Sequence, residues 1–476
     1  MHAHASRDPV FLAMNRRGQE ETGGALGTFC VNCHAPMAVR EGFTEDGLNL
    51  DQVPDALQGV TCFFCHTASE VRGTHNNPVV LDDTRPGVFK GGIADPVPNS
   101  AHASEFSALL SGARPESSQL CGACHDIVLP SPPAAAPVSG EPIALERTYL
   151  EWQESLFAPG NAGPHSQGVS CSGCHMPPPQ RGALGRAAAN GTRNRFLHDH
   201  LFPGVDVALD GSQGDRDLNR ERVQAFLDST LRVARLCVAY SLDASARDKI
   251  RVLVDLDNVG AGHSFPSGAA HDRRAFVELK VFFDGEERYA SGVLADGQDV
   301  LQLEDPDLWL FRDEVTRADG SPAYMFWDVA ALKKGTIPGP VTRVVGAPGY
   351  DATHAVRWFP RSSQQWIDAP FEPERLRVTV RIRIQPIGLD VLDSLIDSGH
   401  LAREVRERMP IFTLLPNRTL TRAEVTAQHP ELERFREVSF EWSPVTLSSP
   451  FFPPAFRSSL GGTGEMLCVG MSSGRD

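Results

Sequence analysis

Alternation of apolar and polar positions is clearest in the second half of the chain. Between residues 376 and 384, leucine, valine and isoleucine alternate with arginine and threonine, a pattern typical of an antiparallel strand with one buried and one wet face. Residues 250–258 and 275–283 are predicted as further strands. Turn signals such as Asp284-Gly285 and Asp319-Gly320 separate such runs.

These strands predict an antiparallel β-sandwich-like domain over residues 236–450. A helical insert, Asp390 to Met409, interrupts the domain; it is broken at Ser398-Gly399 and stopped by Pro410. The end of the chain, residues 451–476, is rich in Pro, Ser and Gly and is predicted to be a loose tail.

The first half of the chain has no such alternation. A short helix through 11–14 and helical patches at 101–110 and 146–157 are predicted. Residues 1–210 therefore read as a mainly α-helical and irregular domain. An amphipathic helix within residues 211–235 is predicted to connect it to the β-domain. The chain is thus expected to be multidomain.

One short pattern recurs four times in the first half: two cysteines two residues apart, with histidine directly after the second. The copies are Cys30, Cys33 and His34; Cys62, Cys65 and His66; Cys121, Cys124 and His125; and Cys171, Cys174 and His175. This is the attachment sequence of c-type haem. On one helical turn both thiols can reach the two vinyl groups of a porphyrin, while the histidine offers an imidazole to its iron.

The pattern therefore predicts four covalently attached c-type haems, with His34, His66, His125 and His175 as proximal iron ligands. Zinc knuckles and redox dithiols are the alternatives. Neither requires a histidine after every second cysteine.

Charge and the remaining cysteines narrow the class further. The net charge of −15, with 60 acidic and 45 basic residues, argues against nucleic acid as a partner. Two of the 10 cysteines lie outside the motifs, Cys237 and Cys468. Cys237 lies in an apolar run, which favours a buried inert thiol; a disulfide between the two is the alternative.

Four haems imply maturation outside the cytoplasm, so we expect a periplasmic or cell-surface protein. No run of residues reaches the length of a transmembrane helix, and residues 1–8 do not resemble a secretory signal. We expect the export signal to have been removed or to lie outside the annotated start.

An electron carrier needs a second strong ligand on each iron, usually another imidazole. Five candidates stand out by their neighbours: His4, His102, His198, His200 and His263. Small residues flank His4 and His102, which permits close approach to a porphyrin. His263 lies in the glycine-flanked stretch 258–268, which could reach from the β-domain onto a haem, or could be a tight turn with a solvent-facing imidazole. His2, His75 and His165 are weaker candidates.

With these residues in view, the chain resembles multihaem cytochromes c related to the tetrahaem cytochrome of the hydroxylamine-oxidation pathway. The resemblance covers roughly the first 205 residues and is carried by the four motifs, by His-Ala helix starts at His4 and His102, and by residues 198–204. Residues 258–268 resemble a loop of β-domains fused to such modules. The long C-terminal region departs from the smaller carriers.

The abundance of histidines beyond the four proximal ligands favours a non-catalytic electron-transfer protein with mostly bis-histidine haems. Its expected partners are redox proteins, including other cytochromes. A multihaem oxidoreductase with one open haem acting on a small nitrogen or sulfur compound is a second hypothesis. A third is self-association, as in extracellular filaments built from tetrahaem modules. No catalytic residue is assigned from the sequence.

Overall fold

The computed structural model describes residues 1–96, 102–129, 140–163, 166–176, 184–185, 195–196, 198–241, 250–341, 354–360, 375–415, 438–441 and 464–470. Ten α-helices lie in these ranges: α1 Pro9–Glu21, α2 Val31–His34, α3 Pro36–Arg40, α4 Cys62–Thr67, α5 Ser118–His125, α6 Thr148–Glu154, α7 Cys171–His175, α8 Gln213–Leu227, α9 Leu389–Asp397 and α10 Arg403–Arg408. Single 3-10 turns occur at His2–His4, Leu50–Gln52, Asp55–Leu57, Ala108–Leu110, Pro115–Ser117, Val300–Gln302 and Phe326–Asp328.

Pairs of short strands lie in the first half of the chain, and one further pair lies in a loop of the second half. They are β1 Ala68–Val71 with β2 Val79–Leu81, β3 Val88–Gly91 with β4 Ala103–Phe106, β5 Asp126–Val128 with β6 Ala144–Arg147, β7 Leu184–Gly185 with β8 Arg195–Phe196, and β14 Glu314–Thr316 with β15 Ala331–Lys333. Only the pair β3–β4 is parallel among these described pairs.

Two larger antiparallel sheets occupy the second half. The four-stranded sheet has the order β16-β10-β9-β20 and is built from β9 Leu231–Ser241, β10 Ile250–Asn258, β16 His354–Phe359 and β20 Gly464–Gly470. The six-stranded sheet has the path β12-β11-β17-β18, with β13 beside β11 and β19 beside β17; its strands are β11 Arg274–Phe283, β12 Glu286–Ser291, β13 Trp309–Phe311, β17 Leu376–Gln385, β18 Phe412–Thr413 and β19 Val438–Glu441.

Both sheets contribute to one hydrophobic core. Val252 and Val254 of β10 and Val277 and Leu279 of β11 are fully buried members of the same cluster. Because side chains alternate between the faces of a strand, sharing a cluster requires one face of each sheet to be turned to the other. The cluster also includes Val10 of α1, so the first helix packs on the β-region rather than apart from it.

The strands predicted from alternation are confirmed, β10 with the same bounds and β11 and β17 within one residue at an end. The helical insert is confirmed as α9 and α10. The helix expected around 146–157 is α6.

Three predictions of local structure were wrong. Instead of a helix at 101–110, the chain forms β4 and a 3-10 turn there. The backbone N–H groups of Ala103 and Ser107 donate to the carbonyls of Gly87 and Gly91 in parallel pairing with β3, rather than along a helix. The connector helix ends at Leu227, and residues 231–235 begin β9, where the apolar residues alternate with arginine. Within the predicted loose tail, residues 464–470 form β20 against β9.

The expectation of an inert thiol at Cys237 was also wrong. Cys237 is disulfide-bonded, and the pairing of β20 with β9 sets Cys468 directly opposite it. An apolar neighbourhood therefore did not distinguish a buried thiol from a buried disulfide, since both are excluded from water.

Candidate haem-binding site

Each of the four recurring motifs forms a short helix that ends at or just after its histidine. Cys30 is the residue before α2, Cys62 and Cys171 begin α4 and α7, and α5 ends at His125. The hydroxyl of Ser170 accepts a hydrogen bond from the backbone N–H of Gly173 at 2.9 Å and caps α7. Both thiols and the imidazole of a motif thus lie on about one helical turn, as the sequence predicted.

Backbone carbonyls fix the orientation of three of the motif histidines. Nδ1 of His34 donates to the carbonyl of Ala5 at 2.9 Å, and Nδ1 of His66 donates to that of Lys90 at 2.6 Å. His175 donates in the same way to Pro203 at 2.6 Å. A carbonyl can only accept, so Nδ1 carries the proton and Nε2 presents its lone pair. This is how proteins orient a histidine for binding a metal ion.

The third motif histidine has a second imidazole opposite it. The ring centres of His125 and His2 lie 6.1 Å apart, with the planes inclined by 48°. Two imidazoles that bind one metal ion from opposite sides have ring centres about 6 Å apart, given metal–nitrogen distances of about 2 Å. The separation of His2 and His125 therefore fits a shared iron.

The fourth motif histidine has such a partner as well. His175 and His263 lie 6.4 Å apart between ring centres, and their planes are only 11° from parallel. Nδ1 of His263 donates to the carbonyl of Ser264 at 2.9 Å, which leaves Nε2 of both rings available. The stretch 258–268 thus brings an imidazole from the β-region to the motif histidine of α7.

Burial keeps these imidazoles neutral. Burial together with repulsion from His125 lowers the pKa of His2 to about 3, and burial together with repulsion from His263 lowers the pKa of His175 to about 4. Burial likewise lowers the pKa of His34, His125 and His263. The neutral ring is the form that binds a metal ion.

His125 is nevertheless an exposed residue, and His2, His34, His175 and His263 are partly exposed. Solvent therefore reaches all five residues.

The helix of the third motif lies among the other three. The backbone N–H of Cys171 in the fourth motif donates to the hydroxyl of Ser118 on α5 at 3.0 Å. Asn77 joins the first motif to α5: its N–H donates to the carbonyl of Ala123 at 2.6 Å, and its side-chain amide donates to the carbonyl of Asn32. Phe64 of the second motif packs with Leu120 and Ala123 of α5 in one buried cluster. All four attachment sequences are therefore brought together around α5.

The motif cysteines differ in their surroundings. Burial raises the pKa of Cys30 to about 12 and that of Cys65 to about 11. The pKa of Cys171 is instead lowered, mainly by the neighbouring Cys121.

The other predicted ligands lie at the edge of this cluster. Nδ1 of His4 donates to Asp210 at 2.8 Å, Nδ1 of His198 to the Met176 carbonyl at 3.1 Å, and Nδ1 of His200 to the His198 carbonyl at 3.2 Å. The rings of His198 and His200 belong to exposed residues. These contacts bring none of the three opposite a motif histidine at the 6 Å spacing of the two pairs above.

His102 lies beside the second motif instead of starting a helix. Its ring packs edge-on against Phe89, with ring centres 5.0 Å apart. Lys90, which follows Phe89 in the chain, accepts the hydrogen bond from Nδ1 of His66 at its carbonyl. His75 is exposed and bonds to Thr74 at 3.1 Å. His165 lies outside the described residues.

Sequence reasoning ranked His2 below His4, whereas the ring separation from His125 favours His2 as the candidate ligand. Both residues belong to the same 3-10 turn and have alanine beside them, so local composition could not separate them. What separates them is the long-range position of α5, since only His2 faces His125.

No protein-family model and no curated protein sequence matches this chain. Among solved structures, the penta-haem cytochrome c552 from Thermochromatium tepidum is similar at 18% sequence identity, over 81% of this chain and 82% of that chain, with a TM-score of 0.48. No helix in the described ranges is long and apolar enough to cross a membrane.

Proposed function

We propose that this protein is a tetrahaem c-type cytochrome that transfers electrons. The observation that carries the proposal is the pair of imidazole separations, His2 to His125 at 6.1 Å and His175 to His263 at 6.4 Å. The eight motif cysteines would hold four haems covalently, and His34, His66, His125 and His175 would be the proximal ligands. Each haem supplies a reversible one-electron couple.

The chain would supply the second ligand of each of these irons and set the distances between the haems. His2 and His263 are the proposed distal ligands of the third and fourth haems. Two strong ligands leave no position for a substrate and limit rearrangement on reduction. The attachment helices are kept close by the hydrogen bond from the Cys171 N–H to Ser118 at 3.0 Å and by the packing of Phe64 on Leu120, which shortens the path that electrons must cover.

The β-region has a part in this arrangement. Its residue His263 lies opposite His175, the motif histidine of α7. We therefore propose that the β-region supplies an iron ligand, in addition to any role in binding redox partners. We also propose that it is a β-sandwich-like domain with a helical insert, following the mainly helical unit of residues 1–210.

The disulfide of Cys237 and the net charge of the chain bear on the cellular compartment and on the redox partners. The disulfide of Cys237 suits an oxidising compartment, which supports a periplasmic or cell-surface location. The net charge of −15 favours redox partners that present basic surfaces.

The experiment is an optical and electron paramagnetic resonance spectrum of the oxidised holoprotein, together with its iron content. We expect four irons per chain and low-spin signals from paired imidazoles. A high-spin fraction that changes on adding nitrite or hydroxylamine would favour the oxidoreductase hypothesis instead. Protein that is matured with an export and haem-attachment system and still lacks haem bands would refute the proposal.

A further inference from the structure

The loop of residues 258–268, which carries His263, is fastened to helix α6 from the haem-binding half. The Glu151 side chain accepts hydrogen bonds from the backbone N–H of Ser264 at 3.2 Å and from the Ser267 hydroxyl at 2.7 Å, both through Oε2. Thr148 accepts from the N–H of Gly268 at 3.0 Å. The residue directly after His263 is thus held by a carboxylate of α6.

Helix α6 is also hydrogen-bonded to the segment that leads into α7, the helix that carries His175. Nε1 of Trp152 donates to the carbonyl of Val169 at 2.9 Å, two residues before α7 begins at Cys171. The N–H of Val169 in turn donates to the carbonyl of Phe157 at 2.8 Å. Consecutive residues of α6, Glu151 and Trp152, therefore connect to the two segments that carry His263 and His175.

Hydrogen bonds within the loop and a close backbone approach fix its conformation. An attachment at Ser264 therefore also fixes the position of His263. Nδ2 of Asn258, a fully buried residue, donates to the His263 carbonyl at 2.8 Å and to the Pro338 carbonyl at 3.1 Å. A side-chain carbon at Gly260 would lie 2.0 Å from the Ser229 carbonyl oxygen. Only glycine permits this close approach of the loop to its neighbour.

We propose that Glu151 is a positioning residue that sets the separation of His263 from His175 and thereby completes the ligand set of the fourth haem. This inference rests on the proposed function. The charged acceptor binds two donors of the loop, and hydrogen bonds to charged groups are stronger than neutral ones. Without it the loop would keep its own fold but lose its attachment to α6 at the position next to His263.

A merely structural role for Glu151 is the competing explanation. Its other oxygen lies 3.5 Å from the buried Arg147 guanidinium, so its loss could lower stability without moving His263. A thermal melt would not separate the two roles. The spin state of the fourth haem does, because it reports whether a second imidazole is bound.

The test compares Glu151→Ala, Glu151→Gln and Glu154→Ala in the holoprotein. Glu154 lies one turn further along α6 and is exposed, so its variant is the matched control. The readouts are high-spin resonance signals of the ferric protein and carbon monoxide binding by the ferrous protein. We expect Glu151→Ala to open roughly one of four irons, and the control to open none. Glu151→Gln keeps an oxygen acceptor but loses its charge, and is expected to open a smaller fraction than Glu151→Ala.

Two further variants keep the outcome interpretable. Ser267→Ala removes only one donor to Glu151 and is expected to give a smaller open fraction, which tests the proposal even if Glu151→Ala fails to accumulate. His263→Ala tests the ligand itself: if it opens no iron, the proposed ligation fails. If His263→Ala opens an iron while Glu151→Ala and Ser267→Ala do not, only the positioning role is refuted. Equal opening in Glu151→Gln and Glu151→Ala would also refute it.

Discussion

The imidazoles of His175 and His263 face each other at 6.4 Å with their planes 11° apart. One belongs to a haem-attachment helix and the other to a loop after a β-strand. Their opposition places a residue of the β-region beside the proposed proximal ligand of the fourth haem. The electronic properties of the fourth haem should therefore respond to a change in the β-region.

Replacing His263 by methionine should raise the midpoint potential of one haem. A thioether is a softer and weaker donor than imidazole, and methionine–histidine ligation gives higher potentials than histidine pairs. A spectroscopic redox titration measures this as one component of the four moving to higher potential. The control is His400→Met, since both ring nitrogens of His400 already bond to Ser398 and Glu20 at 2.9 Å. Four unchanged potentials would contradict the assignment.

His2 and His4 offer a second, closely matched comparison. His2→Ala should convert roughly one of four irons to a high-spin, ligand-binding state, because His125 would lose its partner. His4→Ala removes a contact to Asp210 on a partly exposed surface and should leave all haems low-spin. Carbon monoxide difference spectra of the reduced variants measure both. The reverse result would return the assignment to His4.

The attachment sites could be predicted from sequence because they are local. The positions of the two cysteines and the histidine within a motif follow from one helical turn, and an unbroken alternation predicts a strand such as β17 to within one residue. The distal partners are set by contacts between distant parts of the chain, as for His2 and His125. The strand β4 likewise depends on its pairing with β3, and the Cys237 disulfide on the pairing of β9 with β20. The periodicity of one segment does not indicate which other segment will pair with it.

Arg147 and Asp313 link the haem-binding half to the β-region through a buried ion pair at 2.7 Å, with side-chain exposures of 5% and 0%. Asp313→Ala would remove the closer of the two carboxylates beside the buried Arg147 guanidinium and leave Glu151 at 3.5 Å, which should cost up to about 3–5 kcal/mol of stability. The neighbouring Glu314 pairs with Lys333 in solvent, and Glu314→Ala should cost about 0–1 kcal/mol. Far-ultraviolet circular dichroism melts of the two holoproteins compare them. Similar melting temperatures would show that the buried pair contributes little.

Thiol counting tests the cysteine chemistry of the whole chain. Eight cysteines in thioethers and two in a disulfide leave no free thiol among the 10. Denatured protein should therefore not react with a thiol reagent before reduction, and should show two thiols after it. Cys237→Ser should show one thiol without reduction, from Cys468, the residue in register with it. More than two thiols after reduction would mean incomplete haem attachment.

Glu146 on β6 should make stability depend on pH in a defined window. Burial raises the pKa of its carboxyl from 4.5 to about 7; Arg273 opposes this and nearby Asp206 adds to it. The folded protein thus keeps a proton that the unfolded chain releases above about pH 4.5, so this group destabilises the fold increasingly as the pH rises to about 7. Below the unfolded pKa the effect is absent, and above the folded pKa it is constant.

Glu146→Gln stays neutral at every pH and should lose this dependence. Its advantage in melting temperature over the parent protein should be small near pH 4.5, grow up to about pH 7, and then level off at no more than about 3 kcal/mol of stability. Glu154→Gln, on the exposed face of α6, is the control and should show no such trend. A constant difference across the pH range would mean that the Glu146 carboxyl releases its proton at the same pH in both states. An advantage that shrank as the pH rose would mean that Arg273 dominates over burial and holds the carboxyl ionised.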